Sequence, residues 1–346
     1  MNLTDRRRRS GGNFGICPSS PRRCKKWTVY HVHRRTMSPS SVESTSGYFI
    51  NDSSNGGVGF WEPHTSSIDF CESNYLHTHL IVEPHNVWSS ILGLSVVGSV
   101  GVLCGNPTHE WRTFLIYFIL VIIGIGSACL HASLHWSFQS CDELPMVLLM
   151  ICALYSVLEV DTPTGGQKYP HLPNYLVLLS CVATAVYFKF QHLYIIFFVT
   201  FSAMTVVIFC LHVQIAIRLR KENTDEKNTR NDDSRVYVNN SIALQFYALH
   251  HIAYTLIATP IWVLDQFHCG FLLPIYNSLP FLLRGMTLHV VWHLCSGIGA
   301  HCFIQFLCAC RANTLGMACG KRRVFGVVPV VVIESEHIDM ATKKQG

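Results

Sequence analysis

Residues 114–130 read FLIYFILVIIGIGSACL, and His131 follows directly. No residue in this stretch is charged, and a helix of about 20 apolar residues crosses the hydrocarbon core of a bilayer. The whole chain of 346 residues is 49% hydrophobic and only 14% charged. Soluble domains are about a quarter charged. The stretch is therefore predicted to be a membrane-spanning helix of a polytopic membrane protein.

Six further stretches are apolar enough to span a bilayer. The sequence thus predicts an all-α membrane protein, a bundle of seven transmembrane helices at residues 87–103, 114–130, 144–158, 172–188, 193–217, 242–264 and 289–310. The third span is marginal because Glu159 and Asp161 end it early.

The basic residues of the loops predict the orientation of this bundle. One side has only Lys189 and Arg284, whereas the other carries Arg112, Lys168, six basic residues between 218 and 235, Arg311 and the basic run 321–323. Short cytosolic loops are enriched in Lys and Arg. We therefore expect a luminal N-terminus and a cytosolic C-terminus.

Three histidines stand at the ends of two predicted spans. His131 ends the second span, and His289 and His293 begin the seventh, so all three lie at the same depth. His289 and His293 are one helical turn apart on one face. Three protein ligands with an open fourth position are typical of catalytic zinc. The sequence predicts a zinc site here; the alternative is that each histidine bonds to a neighbouring helix.

Two further polar residues lie near this predicted zinc site. Asp142 is on the same side as His131 and could act as general base, while Ser127, one turn before His131, could stabilise an oxyanion. Alternatively, Ser127 bonds to its own helix and Asp142 starts the third helix, with Pro145 at an early position. His250 and His251 lie within the sixth span without a matching partner, and we interpret them as interhelical hydrogen-bonding groups.

An acidic segment precedes the first span. Asp69, Glu72, Asn74 and Glu83 place three carboxylates and an amide within fifteen residues, as a calcium site requires. A solvated acidic turn is the alternative. Cys71 and Cys269 lie on the same predicted side of the membrane, where a disulfide is permitted if that side is luminal.

Residues 1–58 form a polar, basic, Ser-rich tail without the apolar core of a secretory signal peptide. We expect a disordered extension. A patch that binds nucleic acid or anionic lipid is the alternative.

Several motifs, taken in order, resemble those of the alkaline ceramidases. They are WEPHTSSIDFCESNY at 61–75, GSACLH at 126–131, DELPM at 142–146, DQFHC at 265–269, HVVWHLCSG at 289–297 and FGVVP at 325–329. The resemblance covers residues 59–329. The family usually has tryptophan in place of Phe70, and the basic tail is not a family feature.

This resemblance implies an intramembrane amidase that takes ceramide from the bilayer and hydrolyses it to a sphingoid base and a fatty acid. It implies Zn²⁺ on His131, His289 and His293, with Asp142 as base and Ser127 as oxyanion donor. It further implies Ca²⁺ held by Asp69, the Phe70 carbonyl, Glu72, Asn74 and Glu83, and it favours the Cys71–Cys269 bridge. The domains would be a luminal calcium segment at 59–85, the catalytic bundle at 86–310 and a cytosolic tail at 311–346. No nucleic acid partner is expected, and the membrane would be that of the endoplasmic reticulum or Golgi.

A second class of protein shares the Ser/Asp/His3 arrangement. These are the seven-helix receptors related to the adiponectin and progestin receptors, in which zinc would be structural and the function would be signalling. The acidic segment at 69–83, with its cysteine, points to the ceramidases instead.

Overall fold

The computed structural model describes residues 59–163, 165–229 and 234–334. The basic extension at 1–58 and residues 335–346 lie outside this range. Within it, the chain is mostly helical, and seven helices are long and apolar enough to cross a membrane. The predicted seven-helix, all-α membrane fold is confirmed.

The helices follow the predicted spans but are longer. They are α1 (Pro84–Cys104), α2 (Trp111–Ser133), α3 (Trp136–Leu158), α4 (Leu172–Phe190), α5 (Tyr194–Thr229), α6 (Ser234–His250, π-helical His251–Ala258 and Thr259–Ser278) and α7 (Leu288–Thr314). A hairpin of β1 (Cys319–Val324) and β2 (Val328–Ile333) follows α7.

Helix α3 begins eight residues before the predicted start at 144. His135 is its N-cap, with a side chain that accepts a hydrogen bond from the Ser137 amide. Asp142 therefore lies inside the helix, and the interpretation of Asp142 as a helix start is wrong. The helix can begin this early because its acidic side chains face the protein rather than lipid. Glu143, the residue after Asp142, is buried and accepts hydrogen bonds from Gln139 and Tyr187.

Helices α1 and α7 approach closely through two glycines. A Cβ atom on Gly297 would lie 1.7 Å from the carbonyl oxygen of Gly93, and one on Gly93 would lie 2.6 Å from that of His293. Gly93 is within a π-helical stretch, Ile91–Val96. Small residues let membrane helices pack backbone to backbone. This contact fixes His293 against α1.

Helix α7 occupies the centre of the bundle. In its most apolar window 67% of the residues are buried, against 6% in α5. The hairpin packs on this central helix: Gln305 accepts a hydrogen bond from the Val331 amide at 2.6 Å, and His301 bonds the Pro329 carbonyl at 2.8 Å. The segment expected to be a tail from 311 onwards thus begins inside α7 and continues as this hairpin.

Candidate metal centre

The structure brings the three predicted zinc ligands together. His131 lies near the end of α2, and His289 and His293 lie in the first two turns of α7; all three are at most 2% exposed. One ligand nitrogen from each ring falls within 4.8 Å of the others. The ring centroids are 4.6–5.3 Å apart. The shared depth expected from the sequence is the geometric reason for this convergence.

The hydrogen bonds of these rings leave ligand atoms free. Nδ1 of His131 lies 2.5 Å from Oε2 of Glu83, and Nδ1 of His293 lies 2.9 Å from the Ser89 hydroxyl. Nε2 of His131 and Nδ1 of His289 are buried without a hydrogen-bond partner among the described residues. Metal-bound histidines usually have such a partner on the second nitrogen, with the first turned to the ion.

Two of these ring nitrogens would be better satisfied with a metal ion bound. A buried polar atom without a partner carries a desolvation penalty. An ion among the three rings would relieve that penalty for His131 and His289, and three neutral imidazoles are a typical zinc donor set. The residues present therefore fit Zn²⁺.

Ser127 and Asp142 border the histidines. The Ser127 hydroxyl accepts a hydrogen bond from Ser90 at 3.1 Å and lies 3.4 Å from Nε2 of His293. The Asp142 carboxylate lies close to the Ser127 hydroxyl, and both residues border the same cavity. This pairing of α2 with α3 depends on Gly126, because a Cβ there would lie 2.1 Å from the Cys141 carbonyl oxygen.

Two neighbouring apolar cavities meet at this group. One, of about 280 Å³, is lined by Ser127, Asp142 and Trp292 among many apolar side chains, and extends to His212 and His250. The other, of about 270 Å³, also borders Asp142 and Trp292 and reaches His289. Their size and apolar walls suit the chains of a lipid.

The acidic segment at 69–83 folds over the same end of the bundle. Both oxygens of Glu72 accept backbone amides at the start of α1, from His85 and Asn86, at 2.8 Å each. Oδ1 of Asn74 and Oε1 of Glu83 are buried without a hydrogen-bond partner in the described part of the chain. The segment is not a solvated turn: Glu72 and Glu83 are completely buried.

Burial raises the pKa of both Glu72 and Glu83 well above the usual range, and the neighbouring charge of Glu83 raises that of Glu72 further. A bound cation would offset both effects. The side-chain amide of Asn86 donates a hydrogen bond to Oε2 of Glu83 at 3.3 Å, and the Phe70 amide donates to Oδ1 of Asp69 at 2.9 Å. The carboxylates and the free amide oxygen are hard oxygen ligands, so they fit Ca²⁺.

Glu83 connects the two candidate metal sites. Oε2 of Glu83 contacts His131. Oε1 of the same carboxylate has no hydrogen-bond partner among the described residues and could therefore bind a calcium ion. The backbone strengthens this link: the amides of Val82 and Glu83 donate to the carbonyls of Ala132 and His131. The contacts of Glu83 with His131 and of Ser89 with His293 were missed from the sequence, because they depend on how the segment and α1 fold against α2 and α7.

The Cys71–Cys269 disulfide is present, with Cα atoms 5.4 Å apart. It joins the acidic segment to α6.

The structure also corrects the view that His250 and His251 lack a matching partner: His212 of α5 faces both, and the three can offer ligand atoms within 4.8 Å of one another. His212 lies inside the predicted fifth span, and its intramembrane position was the signal that could have identified it.

Comparison with known proteins identifies the family. A sequence model of the family described as Ceramidase matches residues 62–332. Alkaline ceramidase 3 of Mus musculus is 26% identical over 286 residues, covering 81% of this chain and 96% of the mouse protein. The alkaline ceramidase of Arabidopsis thaliana is also 26% identical and covers 81% of this chain and 97% of its own length. Alkaline ceramidase YPC1 of Saccharomyces cerevisiae is 24% identical, with coverage of 77% and 83%. The chain is therefore a member of the ceramidase family.

Proposed function

We propose that this protein hydrolyses the amide bond of ceramide within the membrane, releasing a sphingoid base and a free fatty acid. The observation that carries the proposal is the position of Asp142, which contacts Ser127 and borders both apolar cavities beside the histidine group. A two-chain lipid has its polar amide between two apolar chains. The two cavities would take the chains and leave the amide at Asp142.

The zinc histidines prepare the site for this reaction. Zinc held by His131, His289 and His293 would polarise the amide carbonyl and lower the pKa of a water molecule toward 7. Glu83 and Ser89 orient two of these rings through their second nitrogens. Burial of the three rings excludes bulk water and strengthens every electrostatic contact there.

Asp142 and Ser127 divide the remaining chemistry. Asp142 would accept a proton from the attacking water and deliver it to the leaving nitrogen. Ser127 would donate a hydrogen bond to the carbonyl oxygen as that oxygen gains negative charge.

The buried acidic segment is the basis for a proposed calcium site, and the disulfide is the basis for a proposed luminal position of this end of the bundle. We propose that Ca²⁺ binds Asp69, the Phe70 carbonyl, Glu72, Asn74 and Glu83, and stabilises the end of the bundle that carries the zinc histidines. The disulfide at this end agrees with an oxidising compartment, as in the endoplasmic reticulum or Golgi.

The receptor alternative has less support. The acidic segment is buried and contacts His131 through Glu83, and each relative described above is named an alkaline ceramidase. A purely structural zinc would also not require a carboxylate facing two lipid-sized cavities.

Purified protein in detergent, incubated with a panel of labelled ceramides, tests the proposal through fatty-acid release. Asp142→Asn keeps the side-chain shape but removes the base, so turnover should collapse while zinc remains bound. Asp161→Asn is the matched control, because that carboxylate pairs with Arg218 on the exposed surface. Wild-type turnover in Asp142→Asn, or no ceramide hydrolysis by the wild-type protein, would refute the proposal.

A further inference from the structure

A second group of three histidines lies between α5 and α6. His212 is at the middle of α5, and His250 and His251 adjoin the start of the π-helical stretch of α6. The ring centroids are 5.0–5.2 Å apart, close to the separations within the zinc group. Such π-helical stretches are rare and frequently occur at functional sites.

The second nitrogens of two rings are already bonded. Nδ1 of His250 lies 2.9 Å from the carbonyl oxygen of Gly299. A carbonyl only accepts hydrogen bonds, so Nδ1 carries the hydrogen and Nε2 is the lone-pair atom. Nδ1 of His251 lies 3.1 Å from the Thr255 hydroxyl. Both rings are thus held in the arrangement typical of metal-bound histidine.

The remaining nitrogens have no such partner. Neither ring nitrogen of His212, nor Nε2 of His251, has a hydrogen-bond partner among the described residues. His212 is 1% exposed, so bulk water does not reach it. An ordinary buried histidine of this protein looks different: His301 bonds Tyr117 through one nitrogen and the Pro329 carbonyl through the other. Both ring nitrogens of His212 are thus buried without a protein partner, and either could bind a ligand.

We propose that His212, His250 and His251 bind a second transition-metal ion of the zinc class. The cluster offers imidazoles and no carboxylate, a donor set that suits zinc and related ions rather than calcium or magnesium. Aromatic rings, among them Phe306 at 4.3 Å between ring centroids, surround His212 and exclude water. Three protein ligands leave one position open, on the side where His212 and His250 line the cavity.

This second site is separate from the candidate metal centre. Gly299, which holds His250, is six residues beyond His293 on α7, or about 9 Å along the helix axis at 1.5 Å per residue. Ser127 and Asp142, which border the candidate metal centre, line the same cavity as His212 and His250. An ion here would join α5, which has few buried residues, to α6.

Metal counting on the full-length, tag-free protein tests the inference without reference to activity. Protein in detergent is stripped with a chelator, supplied with Zn²⁺, separated from free metal by gel filtration and analysed by mass spectrometry. The wild type should hold two ions. His212→Ala and His251→Ala should each hold one, as should His289→Ala through loss of the other site. His301→Ala, another buried histidine, should still hold two.

The melting temperature serves as the folding control and as a second readout. Zn²⁺ binding to the folded state should raise it, and His251→Ala should show a smaller rise than the wild type. If His212→Ala does not fold, the less buried His251 still decides the question. Retention of both ions by a folded His212→Ala or His251→Ala would overturn the inference, as would a single ion in the wild type that only His289→Ala removes.

Discussion

Replacing Glu83 by glutamine tests whether one carboxylate serves both candidate metal sites. Oε2 of Glu83 lies 2.5 Å from Nδ1 of His131, and both side chains are at most 1% exposed. Oε1 is buried and has no hydrogen-bond partner among the described residues, so it is available to the proposed calcium ion. Glutamine keeps the shape and one acceptor oxygen but removes the negative charge from both sites.

The contact between Glu83 and His131 sets the loss of zinc affinity that we expect in these variants. Loss of a residue that orients a metal-bound histidine typically costs 10- to 100-fold in affinity, or about 1.4–2.8 kcal/mol. Glu83→Gln should fall near the lower value, because an acceptor for His131 remains. Glu83→Ala removes the acceptor and should reach the higher value. Both variants should also lose the rise in melting temperature that calcium produces.

Two titrations measure these effects on purified protein: competition with a zinc chelator, and melting with and without calcium. Asn74→Ala is the matched control. Its Oδ1 is a proposed calcium ligand without a hydrogen-bond partner in the described range, and the residue lies outside the zinc group. Asn74→Ala should reduce only the rise in melting temperature with calcium and should leave the zinc affinity unchanged. Unchanged zinc affinity in Glu83→Ala would show that the contact with His131 does not orient the ring.

Ser127, Gly126 and the calcium ligands can each be tested separately. Ser127→Ala should lower turnover by about 10²–10³-fold while zinc stays bound, as measured by fatty-acid release and metal analysis; loss of zinc would make Ser127 a positioning residue instead. Gly126→Ala should destabilise the protein by about 1–3 kcal/mol, because the new Cβ would meet the Cys141 carbonyl at 2.1 Å; an unchanged melting temperature would contradict the close packing of α2 on α3. Calcium at 100 times its Kd should stabilise the wild type by about 2.7 kcal/mol, and identical melting curves with calcium and with a calcium-selective chelator would exclude the calcium site.

The seven helices could be predicted because lipid imposes a simple rule of length and apolarity on each span. The same rule misplaced the start of α3, since Asp142 and Glu143 are polar yet face protein rather than lipid. The rule also did not predict the π-helical stretches Ile91–Val96 and His251–Ala258, because these stretches are apolar like the helices around them.

The convergence of His131, His289 and His293 could be predicted from their depth alone, because helix ends on one side of a membrane share a plane. The partners of these rings could not. Ser89 reaches His293 only because α1 and α7 meet at two glycines, and Glu83 reaches His131 only because the acidic segment folds onto α2. The sequence also did not reveal that His212 lies beside His250 and His251, because this contact depends on α5 and α6 being neighbours.

Zinc-dependent release of fatty acid from ceramide tests the central claim most directly. Protein stripped with a chelator should lose activity and recover it when Zn²⁺ is restored. His289→Ala should stay inactive at every zinc concentration, whereas His301→Ala, a buried histidine outside the site, should recover with the wild type. Ceramide hydrolysis at the wild-type rate by His289→Ala, or by the stripped protein, would contradict the account.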